Sequence, residues 1–138
     1  MEAKEILTPK NMFLALGTTV IVMSFYGMAN GDEWAEYGWG EDNVLAHDEA
    51  YEEMWALHLM PLGVMAMITG MVVTGKELAR MAMFSPVVLV ILVVGMTVLA
   101  SDNGYSTDPP SGISGILGGI MMIAVILTCV SGFMHKDE

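Results

Sequence analysis

Four stretches of the chain contain no Asp, Glu, Lys or Arg: residues 11–30, 54–75, 81–100 and 112–133. Each holds about 20 residues, the length a helix needs to cross ~30 Å of hydrocarbon at 1.5 Å per residue. A soluble helix bundle would instead repeat charged positions at helical period along each helix. The pattern therefore predicts an all-α integral membrane protein. Its 138 residues form one four-helix domain with little room for a separate soluble unit.

Polar residues punctuate these spans. Gly27, Asn30 and Gly31 close the first. Asp42 or Asn43 is a candidate N-cap for a helix that starts at Val44, outside the membrane, and continues into the second span. Pro61 lies within that span, so a kink is expected near His58 and Met60. Residues 76–80 read as a short turn, which makes the second and third spans antiparallel neighbours. Ser85 and Pro86 read as an N-cap followed by proline at the first helical position. Asp-Asn-Gly and Pro-Pro mark a turn at 101–111, and Ser111 is a candidate cap for the last helix.

Charge gives the spans a direction. Threaded back and forth, they gather Lys4, Lys10, Lys76, Arg80 and Lys136 on one side with both termini. Eleven acids and no base fall on the other, in segment 31–53 and at Asp102 and Asp108. The positive-inside rule then predicts an N-in/C-in antiparallel bundle in the cell membrane, with extracytoplasmic acidic loops and cytoplasmic termini. All three tryptophans and all four tyrosines fall near the acidic boundary, where amphipathic rings favour the headgroup zone. The net charge of −11 belongs wholly to the acidic side. It attracts cations and excludes a nucleic-acid partner. The first span is too long for a signal-peptide core and no A-x-A cleavage site follows it.

Candidate chemistry is sparse. His47, Tyr51, Met54 and His58 follow one another at spacings of four, three and four, so they share a helix face. Two imidazoles and a thioether beside carboxylates could ligate copper, zinc or haem iron. The two histidines lie about 16 Å apart along a helix, so His58 would need ligands from another helix or chain. The competing reading gives His58 a backbone hydrogen bond and no ligand. Fifteen methionines, among them Met60, Met65, Met67, Met71, Met121 and Met122, would suit Cu(I), but thioethers also fill irregular apolar gaps. Cys129 has no partner for an internal disulfide. The acidic segment lacks the residue order of an EF-hand loop. No Walker, GxGxxG or HExxH motif occurs. No charged residue sits deep in a span, as ion-coupled transport generally requires.

Small residues give a packing signal. Ser111, Gly115 and Gly119 repeat every four residues, as do Ala66, Gly70 and Thr74, and such stripes let helices in lipid approach closely. Taken together, the sequence predicts a non-catalytic accessory subunit, contacting lipid and other membrane subunits within a hetero-oligomer. A respiratory or monooxygenase-type metalloenzyme is a natural host. Two alternatives stand beside it: a copper- or haem-binding redox protein using His58, and a small homo-oligomeric cation channel or carrier.

Overall fold

The computed structural model describes residues 3–138. Among them only helices and turns occur, with no strand. A short helix α1 (Ala3–Ile6) precedes α2 (Pro9–Ala29). Thr8 caps α2, its Oγ1 accepting from Asn11 N at 3.2 Å, and Pro9 occupies the first turn, where its missing N–H costs nothing. The helix thus begins two residues earlier than the hydropathy pattern indicates. After the single residue Asn30 the chain enters α3 (Gly31–Trp39), then a 3-10 turn (Glu41–Asn43). Next come α4 (Asp48–Val72), α5 (Gly75–Met83), α6 (Ser85–Asn103) and α7 (Gly112–Met134).

Four helical stretches are long and apolar enough to cross a membrane: α2, α4, α7 and the rod formed by α5 and α6. This is a multi-pass membrane architecture.

Three local expectations are corrected. First, α4 does not start at Val44. The Asp48 carboxylate accepts the Leu45 N–H at 2.8 Å, and this local turn holds the chain out of helix until Asp48. Second, residues 76–80 are not a turn but part of α5, which buries Leu78, Ala79 and Ala82 and exposes Lys76, Glu77 and Arg80. Third, Ser85 is the first residue of α6 rather than its cap. Its hydroxyl donates back to Ala82 O at 2.8 Å instead of capping α6. Pro61 lies inside α4, whose helical assignment continues through it.

The tightest seam joins α2 and α4. A Cβ on Gly17 would lie 2.6 Å from the Gly63 carbonyl oxygen, and one on Gly63 would lie 2.9 Å from the Gly17 carbonyl oxygen. Only glycine allows the two backbones this close. Further along, Ser24 Oγ donates to Ala56 O at 2.6 Å in a fully buried setting. Phe13 packs on Gly70, and with Leu78 and Ala82 it forms the apolar core, flanked by Ala66 and Val73. On the other side α7 meets α5 where Gly132 lies against the Ala79 carbonyl and the Met83 backbone. Thr128, also fully buried, donates to Ala124 O at 2.7 Å. By contrast, α6 buries none of its residues.

Contacts sort the charges to two ends. At the basic end Lys4 pairs with Glu138, and the His135 ring reaches both Glu138 and Lys4 O, so the two ends of the chain hold each other. These contacts draw the Glu138 carboxyl below its usual range, Lys4 first and His135 second. At the acidic end, α3, the start of α4, the 104–111 loop and the start of α7 converge.

Candidate functional site

The acidic end is built on α3. Its buried residues Gly31, Ala35 and Gly38 are spaced by four and three, so one small-residue face lies flat against its neighbours. Gly31 sits on the Glu49 carbonyl and the Glu53 side chain. The opposite face raises Glu33, Glu36 and Tyr37 toward the end of α6.

Two hydrogen-bond chains tie α3 to residues distant in sequence. In the first, Trp34 Nε1 donates to Ser114 Oγ at 3.1 Å, and Ser114 Oγ donates to Glu33 Oε1 at 3.1 Å. Glu33 Oε2 receives the Tyr26 hydroxyl at 2.6 Å. The Trp34 ring lies over Gly27, where no larger residue fits. In the second, the Tyr105 ring covers Gly38 and meets Trp39 edge-on at 5.2 Å. Its hydroxyl donates to Glu52 Oε1 at 2.9 Å, and Ser106 N donates to Gly38 O at 2.7 Å. Burial pushes the Tyr105 phenol well above its usual range, and the Glu52 charge and hydrogen bond push the same way.

Between these chains and α6 opens a cleft of about 610 Å³. Its mouth carries Glu36, Glu41 and Asp108, and Glu33 and Glu52 lie in its wall. Trp34, Tyr37, Trp55 and Tyr105 supply aromatic surface, while Met23, Val93, Met96 and Gly118 form the apolar part. Among the described residues no Lys, Arg or His lies within 4.0 Å of a carboxylate oxygen of these five acids. Glu52 is only 9% exposed, which for a carboxylate with no basic partner is unusual.

The residues singled out by spacing lie elsewhere. Tyr51, Met54 and His58 share one face of α4, His47 precedes the helix rather than lying in it, and all four are exposed. The His47 and Tyr51 rings meet edge-on at 5.1 Å. His58 Nδ1 lies 2.5 Å from Met54 O. A carbonyl only accepts, so Nδ1 carries the proton and Nε2 is left as a lone pair in the neutral ring. Among the described residues no group of three or more His, Cys, Asp or Glu is placed to hold a metal ion. The Cys129 thiol points to Met83 O at 3.5 Å.

The two small-residue stripes divide. Ala66 and Gly70 pack in the α2–α4 seam, whereas Thr74 is exposed beyond the end of α4. Gly115 abuts the Pro110 carbonyl of its own loop, and Ser111 lines the cleft. Gly119, like Gly118 and Gly95, has nothing within 4 Å of a built Cβ. Of the methionines, Met67 packs on Gly17, while Met65 and Met71 are exposed. Spacing along a single helix did not point to Gly17, Gly63 or Gly132, because their partners lie on other helices.

Fold and site together define a four-span membrane protein with an acidic, aromatic cleft at one end. No family model, curated protein or solved structure matches the chain.

Proposed function

We propose that the chain is a non-catalytic subunit of a larger membrane assembly, bound side by side with other membrane polypeptides and lipid. In this reading the four spans form an antiparallel bundle in the cell membrane, with both termini cytoplasmic and segment 31–53 extracytoplasmic. One observation carries it: α6 buries no residue of its own, and at Gly95 its backbone is bare. Lipid tails solvate an apolar helix as well as a protein neighbour does, so apolarity alone does not hold a span to its bundle. A span with so little intramolecular packing gains its place from a neighbour outside the chain. The bare Gly119 of α7 offers a second close-approach surface.

Extraction in mild detergent followed by identification of co-migrating polypeptides tests this. The chain travels in a complex of fixed stoichiometry under the proposal, and a folded monomer running alone contradicts it. Orientation is tested separately. In a Cys129→Ser background, Asp42→Cys reacts with a membrane-impermeant maleimide added outside intact cells, and Lys76→Cys does not.

A second reading is supported by His58. Its Nδ1–H is held on Met54 O and the residue is exposed, leaving Nε2 free of a hydrogen bond among the described residues, the arrangement of an imidazole prepared to ligate a metal. The remaining ligands to copper or haem would come from a neighbouring chain. Metal content and the absorption spectrum of the native complex, compared between wild type and His58→Ala, decide this; identical values discard it.

A further inference from the structure

Glu52 is 9% exposed and lines the cleft of about 610 Å³. Its Oε1 accepts one hydrogen bond, from Tyr105, while Oε2 makes none among the described residues and retains accessible surface. Burial raises the Glu52 carboxyl above its usual range, and a positive charge placed beside it would favour its ionised form. The cleft provides space for one. Its volume falls in the range of small-ligand sites.

The lining sets the chemistry of the occupant. Aromatic faces attract cations held within about 6 Å, and Trp34, Tyr37, Trp55 and Tyr105 all line the space. Away from the acids the wall is mostly apolar, with Thr97 among its residues. It runs from Ala100 to Val93 along α6, about 10 Å at helical rise. A bare metal ion would leave that apolar length unused. A zwitterionic lipid head would bring its phosphate against the acids at the mouth.

We propose that the cleft binds an organic cation with an apolar body, a protonated or quaternary amine on a short hydrocarbon chain, with its charge against Glu52 and Glu33 and its chain along Val93, Met96 and Gly118. Glu33 keeps acceptor capacity for this, since each of its oxygens receives a single hydrogen bond.

The test uses the full chain in zwitterionic nanodiscs and follows tryptophan fluorescence, since Trp34 and Trp55 line the cleft. Decyltrimethylammonium is compared with decan-1-ol and decylphosphocholine, which share its hydrocarbon chain. The expected result is saturable quenching by the ammonium compound at a concentration at least tenfold lower than by either of the others. Glu52→Gln weakens the ammonium compound at least tenfold, while Asp42→Asn, an exposed acid outside the cleft, changes it less than twofold. If circular dichroism shows that Glu52→Gln has lost helix, Glu33→Gln replaces it with the same expectation. Equal affinity for charged and neutral probes overturns the proposal. So does unchanged affinity in the folded cleft variant. Equal weakening by Asp42→Asn also overturns it, because the attraction is then that of the whole acidic surface.

Discussion

Helices α2 and α6 are both apolar rods of membrane-spanning length, yet the protein treats them differently. Helix α2 buries Phe13, Leu16, Gly17, Ser24 and Gly27, and its neighbours reach its backbone. Helix α6 buries nothing, and its Gly95 meets open space. Hydropathy does not separate them, since each contains a long apolar run free of charge. Small and hydroxylated residues placed opposite their counterparts do: Gly17 faces Gly63, and Ser24 faces Ala56 O. In a membrane, where apolar burial gives little net attraction between helices, such contacts decide which spans are bound within the chain. The others remain open to outside partners.

The largest effect follows from filling the α2–α4 seam. Gly17→Leu places a side chain where even a Cβ would overlap Gly63 O. Overpacking costs about 1–3 kcal/mol or more, read as lower folded yield and an earlier transition in detergent unfolding. Gly95→Leu, in open space, leaves that transition unchanged and lowers recovery of the surrounding complex. If both substitutions act alike on the isolated chain, the distinction between the two helices fails.

Tyr105→Phe comes next. It removes the donor to the buried Glu52 and costs about 1–2 kcal/mol. Its pH dependence has a defined sign. The folded phenol titrates above its ordinary value of 10.0, so its stabilising contribution is complete below pH 10 and is lost as pH rises beyond that toward its folded value. Wild type loses stability over this alkaline window, and the Phe variant lacks that part of the loss.

Ser24→Ala removes the 2.6 Å bond to Ala56 O. Interhelical bonds of this kind average about 0.6 kcal/mol in membranes, and the unfolding midpoint shifts accordingly. Glu138→Gln is the smallest. Lys4 and His135 hold the Glu138 carboxyl below its ordinary value of 4.5, so its contribution is present above that value and disappears as pH falls through the lowered one. The variant is expected to match wild type in strong acid and to trail it slightly at neutral pH.

The four spans were legible because they are charge-free over the full thickness of a bilayer. The short helices α3 and α5 were not. Helix α5 has its signal in Leu78, Ala79 and Ala82 set against Lys76, Glu77 and Arg80, but nine residues between two spans resemble a turn. The face that α3 buries consists of Gly31, Ala35 and Gly38, which hydropathy hardly registers. The cleft lay beyond the reach of local pattern. Glu33 and Ser114, and Glu52 and Tyr105, are joined across 81 and 53 residues. Of the histidine stripe, Tyr51, Met54 and His58 share one exposed face of α4 while His47 precedes the helix, and the stripe lies apart from the cleft.

The most direct test of α6 as the partner-facing span is photocrosslinking in native membranes. A photoreactive amino acid at Val94 or Leu99, both widely exposed on α6, is expected to capture a different membrane polypeptide in defined adducts. The same probe at Leu16, buried in α2, yields none. Capture of lipid alone from both α6 positions would contradict the account.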